Sequence, residues 1–153
     1  STHSIPAAAS HVYNTQKFYF VAAGVFRPLR RAGPLDRPEE VDGGALEGLV
    51  AQHLRAWIDY SGSDARLFYW KTRGGSEVDF VVYGPGDFWA LEVKRGARVR
   101  RRDLRHLKTF RKDFPEARVR LAYGGDERLV SDGIVGLPVR ELLPAIVPLA
   151  RLP

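Results

Sequence analysis

The sequence predicts an α/β domain in which helices flank a mixed central sheet. Residues 44–60 carry apolar side chains at steps of three and four, the period of an amphipathic helix, and residues 101–114 repeat that pattern. Between these helices lie short segments rich in β-branched and aromatic residues, separated by glycine-containing turns. The core elements therefore follow the order helix, three strands, helix, strand.

The segments that precede the long helix are less regular. Residues 17–20, with the sequence Lys-Phe-Tyr-Phe, are typical of a short strand. Residues 22–31 favour a small helical patch that a proline interrupts. Residues 33–42 combine prolines with several charges, which is typical of a loop.

Glycine, proline and serine mark the remaining boundaries. The long helix should end at residues 61–63, and turns are expected at 72–75 and 83–87. Pro115 should end the second helix. The other predicted elements are strands over 66–71, 76–82, 88–94 and 118–123, a candidate strand over 133–137, and a last helix over 138–149.

The composition excludes several classes of protein. With 153 residues, 44% of them hydrophobic and 27% charged, the chain has the size and composition of one globular domain. It has no apolar run long enough to span a bilayer and no signal peptide, so we expect a cytoplasmic protein with no membrane partner. There is no cysteine and the four histidines are scattered, so any metal should be bound by oxygen, as Mg²⁺ or Mn²⁺.

Acidic side chains on the second predicted strand point to function. Because alternate side chains of a strand share a face, Glu77 and Asp79 should point one way. Val78, Phe80 and Val82 should point the other way. An acid amid such apolar neighbours needs a partner, which favours a site over a solvated charge.

The third predicted strand completes the constellation. Glu92 and Lys94 share one face of it, and the turn at 83–87 folds it back so that they can converge with Asp79. Phosphodiester hydrolysis needs a cation, an activated water and help for the leaving oxygen. Asp79 and Glu92 can bind Mg²⁺, with the Val93 carbonyl between them. Lys94 can orient or deprotonate the attacking water.

A dense basic segment follows directly. Nine Lys or Arg residues and a single acid, Asp103, lie between Arg95 and Lys112, and the net charge of the chain is +6. Such a cluster suits a polyanion such as DNA, because neutralised phosphates release their counterions. A solvated helix face is the alternative. The candidate nucleic-acid contacts are Arg95, Arg98, Arg101, Arg102, Arg105 and Lys108.

Other conspicuous residues have two interpretations. Glu77 could be a further acid of the site or could form a surface ion pair with Arg73 or Lys71. Trp57, Tyr69 and Trp70 could stack on bases, although aromatic residues at helix and strand positions belong more often to the core.

The αβββαβ order with an acid, then Asp, then Glu-x-Lys resembles the PD-(D/E)XK nuclease superfamily. More narrowly, the chain resembles the uncharacterised domain found C-terminal to AAA-type ATPases in bacteria and archaea, domain-of-unknown-function family 4143. This resemblance covers nearly the whole chain. The segments that carry it are Phe18-Tyr19-Phe20, Gly44-Ala45-Leu46-Glu47, Tyr69-Trp70-Lys71-Thr72, Glu77-Val78-Asp79-Phe80 and Leu91-Glu92-Val93-Lys94.

The resemblance implies a restriction-endonuclease-like core and adds Glu47 as a helical acid that helps to hold the metal. For Glu47 the alternative is an acid favoured by the helix dipole whatever its role. The family's ATPase would bring a Walker loop, which this sequence lacks. We therefore expect residues 1–153 to be a single nuclease-like domain, with 1–42 as an extension from a preceding ATPase region of a longer chain.

Two functions follow as hypotheses. The first is a Mg²⁺-dependent nuclease acting on DNA, in which Glu47, Asp79, Glu92 and Lys94 are catalytic. A double-strand cutter needs two active sites, so a homodimer is one form that it could take. The second is a catalytically silent module of the same fold that docks DNA or protein beside the ATPase.

Overall fold

A seven-stranded mixed sheet forms the centre of the protein in a computed structural model, which describes residues 24–29 and 44–153. The strands are β1 (Gly24–Pro28), β2 (Arg66–Thr72), β3 (Glu77–Gly84), β4 (Asp87–Lys94), β5 (Arg118–Tyr123), β6 (Leu129–Ser131) and β7 (Ile134–Pro138). Their order across the sheet is β1-β2-β3-β4-β5-β7-β6. The pairs β1–β2, β2–β3 and β3–β4 are antiparallel, whereas β4, β5 and β7 run parallel to one another and β6 is antiparallel to β7.

Helices cover both faces of this sheet. They are α1 (Ala45–Tyr60), α2 (Arg105–Asp113), which a 3₁₀ turn (Arg101–Leu104) precedes, and α3 (Val139–Ala145). The apolar stripes of α1 and α3 pack on one face, and that of α2 packs on the other. The predicted α/β class with a flanked mixed sheet is therefore confirmed. No helix of the described residues is long and apolar enough to cross a membrane.

The hairpin between β3 and β4 has the predicted turn. Gly84 pairs with Asp87, so Pro85 and Gly86 form a two-residue loop. Gly86 has φ of +83°, which glycine adopts without strain. At the other end of β4, the chain passes through α2 and returns as β5, parallel to β4. The carboxyl ends of β4 and β5 therefore lie at the same edge of the sheet.

The helical patch predicted over 22–31 is wrong where the structure describes it. Gly24–Pro28 is strand β1, paired antiparallel with β2. Phe26 is buried on the α2 side, where its ring meets those of Phe68 and Phe110 at centroid distances of 6.1 Å. Pro28 is tolerated because β1 lies at an edge of the sheet among the described strands, where the missing N–H costs no ladder bond. Tertiary pairing thus overrides the local pattern.

The remaining predictions need smaller changes. The second helix is shorter than 101–114, because its first turn is 3₁₀. Strand β6 was not predicted, and the last helix spans seven residues of the twelve expected. The strand at 17–20, the loop at 33–42 and most of the extension over 1–42 lie outside the described residues.

Candidate functional site

Asp79 and Glu92 meet where the ladder between β3 and β4 ends. Phe80 and Leu91 are the last backbone pair at this end of the ladder. Next to them, hydrogen bonds from backbone to side chain replace those between the two backbones. The Val93 N–H donates to Asp79 Oδ2 at 2.9 Å, and the Asp79 N–H donates to Glu92 Oε1 at 3.3 Å. Each acid thus binds the backbone of the other strand, which holds the two carboxylates side by side.

A β-bulge lies immediately before this contact. Phe68 pairs with Val81 and Trp70 pairs with Val78, so β3 advances by three residues over the length in which β2 advances by two. The extra residue of a bulge bends its strand and redirects the neighbouring side chains. The single-residue alternation that the sequence suggests therefore fails at this point of β3.

The bulge corrects one prediction. Val78 packs in the α2 layer, whereas Phe80 and Val82 pack in the α1 layer, so the three do not share a face as expected. Glu77 is separated from the acid pair and lies 4.0 Å from Lys71, with about half of its side chain exposed. Of its two interpretations, the structure favours the surface ion pair. Asp79 is the acid that the bulge directs towards Glu92.

Glu92 is the buried acid of this site, with 3% of its surface exposed. The pKa of Glu92 is raised from 4.5 to about 10. Burial is the largest cause, and the hydrogen bond to Asp79 and the negative charge of Asp79 add to it. The positive charge of the nearby Lys94 lowers the pKa of Glu92, but by less than burial and Asp79 raise it. Without a further positive charge, Glu92 therefore keeps its proton at neutral pH, and a bound cation is what would ionise it.

Lys94 and Val93 follow Glu92 on β4. Lys94 is half-buried, and its ammonium is close enough to Glu92 to lower the pKa of that acid. The Val93 side chain is buried on the α1 side and its N–H is committed to Asp79. Asp79 and Glu92 are thus brought together, and Lys94 is near enough for its charge to act on Glu92, whereas the roles expected of the three residues stay predictions.

Glu47 contacts Arg95, the residue that follows Lys94, from the helix on the other face of the sheet. It lies in the first turn of α1 and accepts a 2.9 Å hydrogen bond from Arg95 Nη2. This bond and the charge of Glu47 raise the pKa of Arg95. Gly44, with φ of +132°, leaves the necessary space, because a Cβ there would lie 1.7 Å from the Arg95 guanidinium. Glu47 and Arg95, predicted as a metal helper and a DNA contact, therefore neutralise each other.

The side chains that could bind a metal ion at this site are few, but their oxygen atoms suit a hard cation such as Mg²⁺. Among residues 24–29 and 44–153, no group of three or more His, Cys, Asp or Glu side chains is arranged to hold a metal. Asp79 and Glu92 supply two adjacent carboxylates, and Glu92 lacks a full countercharge. Mg²⁺ binds through few carboxylates and retains waters, so this pair fits it.

His106 is the residue at the site that the sequence did not reveal. Its Nδ1 lies 3.5 Å from Glu92 Oε2 and 3.1 Å from the carbonyl oxygen of Glu77. It belongs to the basic segment, and no spacing relates it to the acids on the strands. Only the packing of α2 against β3 and β4 brings it there.

A basic cleft adjoins Lys94. It has a volume of about 530 Å³. Two of its lining residues pack tightly against Gly124, since the Gly124 N–H donates to the Gly96 carbonyl at 2.9 Å and a Cβ on Gly124 would lie 2.3 Å from the Arg95 carbonyl oxygen. The lining residues are Lys94, Arg95, Gly96, Ala97, Arg98, Arg100, Arg102 and Asp103.

The structure divides the predicted nucleic-acid contacts into two groups. Arg98 and Arg102 line the basic cleft together with Arg95. Arg101, Arg105 and Lys108 do not line it. Lys108 forms an ion pair with Asp132 in the β6–β7 turn, and Arg105 Nη2 lies 3.5 Å from His106 Nε2. Arg100, which the prediction omitted, lines the cleft as well.

Of the three aromatic residues expected in the core, Trp57 and Trp70 are confirmed there, whereas Tyr69 is half-buried. Trp70 is fully buried and meets Phe110 edge to face at 5.1 Å. Trp57 is buried on the opposite face and donates its Nε1–H to the Ala150 carbonyl at 2.9 Å. These rings are therefore not available to stack on bases.

A three-layer α/β fold with an acid pair at the open end of a hairpin, beside a basic cleft, describes the class of this protein. The chain belongs to the family of a domain of unknown function, DUF4143, whose model matches residues 42–142. It is similar to the uncharacterised proteins Mb2031c of Mycobacterium bovis and Rv2008c of Mycobacterium tuberculosis, with 28% identity over 102 residues in each. The matches cover 66% of this chain and 22% of each relative, so the chain spans only part of their length. No solved structure matches the chain.

Proposed function

We propose that this domain is a Mg²⁺-dependent nuclease with a restriction-endonuclease-like core of the PD-(D/E)XK type, acting on DNA. The observation that carries the proposal is the convergence of Asp79, Glu92 and Lys94 beside the basic cleft. A buried acid beside a second acid is a poor way to stabilise a fold, because Glu92 is costly to ionise there without a cation. A site that receives a cation explains the arrangement.

The residues divide the chemistry between them. Bound Mg²⁺ supplies positive charge for the scissile phosphate and lowers the pKa of a coordinated water. Asp79 and Glu92 hold the cation, and the bonds that they share with the strand backbones keep them in place. Lys94, on the same face of β4 as Glu92, orients the attacking water. Glu47 supports the site through Arg95 rather than as a direct partner of Asp79.

DNA is the substrate class favoured by the cleft. Lys94, Arg98, Arg100 and Arg102 present positive charge along one groove, with Asp103 as the single acid in its wall, and Lys94 is the lining residue nearest in the chain to Glu92. Such side chains bind phosphates without reading bases, so binding should be independent of sequence and sensitive to salt. Linkage to an ATPase in the full-length protein belongs to the same proposal and rests on the family resemblance.

The second candidate is a silent module that binds DNA or protein. Two observations favour it: the described residues offer no third His, Cys, Asp or Glu side chain beside the two carboxylates, and Glu47 is paired with Arg95. A domain of this kind would bind without cleaving.

Supercoiled plasmid incubated with the purified domain in Mg²⁺ or Mn²⁺ tests the choice. We expect nicking that EDTA stops and that Asp79→Asn abolishes. Glu77→Gln is the matched control, since it removes an acid of the same strand that is exposed and paired with Lys71. Plasmid that shifts in a gel but stays intact in every metal would support the silent module. Equal nicking by the wild type and Asp79→Asn would refute the assignment of the site.

A further inference from the structure

His106 has partners on both sides of its ring, and they select one form of it. Nδ1 lies 3.1 Å from the Glu77 carbonyl oxygen, and Nε2 lies 3.5 Å from Arg105 Nη2. A carbonyl oxygen only accepts hydrogen bonds, and a guanidinium only donates them. A neutral imidazole has one N–H and one bare nitrogen. These partners therefore require the proton on Nδ1 and the lone pair on Nε2.

This tautomer has a consequence for Glu92. The proton-bearing Nδ1 lies 3.5 Å from Glu92 Oε2, while Oε1 of the same carboxyl group accepts the Asp79 N–H. Oε1 thus accepts a hydrogen bond from β3, and Oε2 faces the Nδ1–H on α2 at 3.5 Å, although the shorter contact of that N–H is with the Glu77 carbonyl oxygen. The orientation of the carboxyl group is set from two sides.

We propose that His106 is a positioning residue that fixes the Glu92 carboxyl group through its Nδ1–H, and that it is not itself a metal ligand. Because Nδ1 carries the proton, it has no free lone pair. The side of the ring that faces the acids therefore cannot coordinate a cation. Hydrogen-bond donors outside the ligand shell commonly orient the ligands and strengthen metal binding. The part of this proposal that concerns metal rests on the proposed function, whereas the tautomer and the orientation of Glu92 do not.

Two substitutions at His106 distinguish the effect of its N–H donor from the effect of its packing. His106→Asn places an amide nitrogen near the position of Nδ1 and can keep the donor, whereas His106→Leu fills the space without one. His53→Leu is the matched control, because His53 Nδ1 contacts only the Leu49 carbonyl of its own helix, at 2.9 Å, among its described bonds. Mn²⁺ affinity, measured by calorimetry, should fall about tenfold in His106→Leu, recover in His106→Asn and stay unchanged in His53→Leu.

Nitrogen and carbon NMR of the metal-free protein give a readout that needs no metal. We expect the Nδ1–H tautomer for His106 and a Glu92 carboxyl resonance that moves in His106→Leu and returns in His106→Asn. An Nε2–H tautomer, or a Glu92 resonance that is the same in all variants, would overturn the inference, as would equal loss of Mn²⁺ affinity in both His106 variants. Wild-type protein that binds no Mn²⁺ would instead refute the metal site, and the NMR measurements would still decide the role of His106.

Discussion

The clearest test of the buried acid is to replace it with its uncharged isostere, Glu92→Gln, in metal-free protein. Glutamine has nearly the shape of protonated glutamic acid, so the packing around it should be preserved. Only the ability to ionise is lost. The variant therefore isolates the consequence of burying an acid beside Asp79.

The magnitude follows from proton linkage. In the unfolded chain Glu92 ionises near its ordinary pKa of 4.5, whereas in the folded, metal-free protein it keeps its proton to well above pH 7. Between these values the folded state binds more protons, so the stability is complete below pH 4.5 and falls as the pH rises. Each pH unit contributes about 1.4 kcal/mol, so at pH 7 the wild type should be less stable than Glu92→Gln by about 3 kcal/mol.

Urea unfolding in EDTA at several values between pH 4.5 and 7 measures this difference. The two proteins should have similar free energies of unfolding at pH 4.5 and should diverge with a slope close to one proton. Added Mn²⁺ should then stabilise the wild type by mass action and leave Glu92→Gln unchanged.

The control is Glu77→Gln, which removes an exposed acid from the same hairpin. Its difference from the wild type should not vary with pH beyond a few tenths of a kcal/mol. A difference between the wild type and Glu92→Gln that is flat with pH would refute the reasoning, because it would mean that Glu92 is already ionised in the metal-free fold.

Three further outcomes are expected. Lys94→Ala should abolish metal-dependent nicking and keep the far-ultraviolet circular dichroism spectrum, since the half-buried Lys94 is the end residue of its strand; unchanged nicking would remove it from the mechanism. Neutralising Arg98, Arg100 and Arg102 together should weaken DNA binding for all sequences and reduce its salt slope by about 3; an unaltered slope in a fluorescence anisotropy titration would place the phosphate contacts elsewhere. Gly124→Ala should weaken DNA binding without changing any charge, because its Cβ would displace the Arg95 carbonyl and with it the backbone that lines the cleft; full affinity would show that the position of this backbone does not matter for binding.

Much of the fold could be predicted because local patterns agree with the tertiary structure. The periodicity of α1, the Pro-Gly turn and the three strands that follow α1 all rest on interactions within short segments, and the structure has them close to the expected bounds. β1 could not be predicted in this way, since its residues form a strand only by pairing with β2. The same holds for β6, whose three residues carry little signal of their own.

The residues of the candidate site also differ in whether a local pattern reveals them. Asp79, Glu92 and Lys94 are found from the sequence because two strands joined by a short turn must lie side by side. His106 is not found, because its contact with Glu92 joins α2 to β4 and no local pattern relates them. The pairing of Glu47 with Arg95, and of Lys108 with Asp132, likewise removes charges that the sequence counts as available.

The sequence by itself determined the layered α/β class, the hairpin and the identity of the acids on it, because helical and strand periodicity and turn chemistry act over a few residues. The tertiary structure decided which charges remain unpaired, how Asp79 is directed by the bulge, and that Glu92 is buried against His106. These properties depend on the distance between segments that are far apart in the chain, and on the water excluded between them, neither of which a local pattern contains.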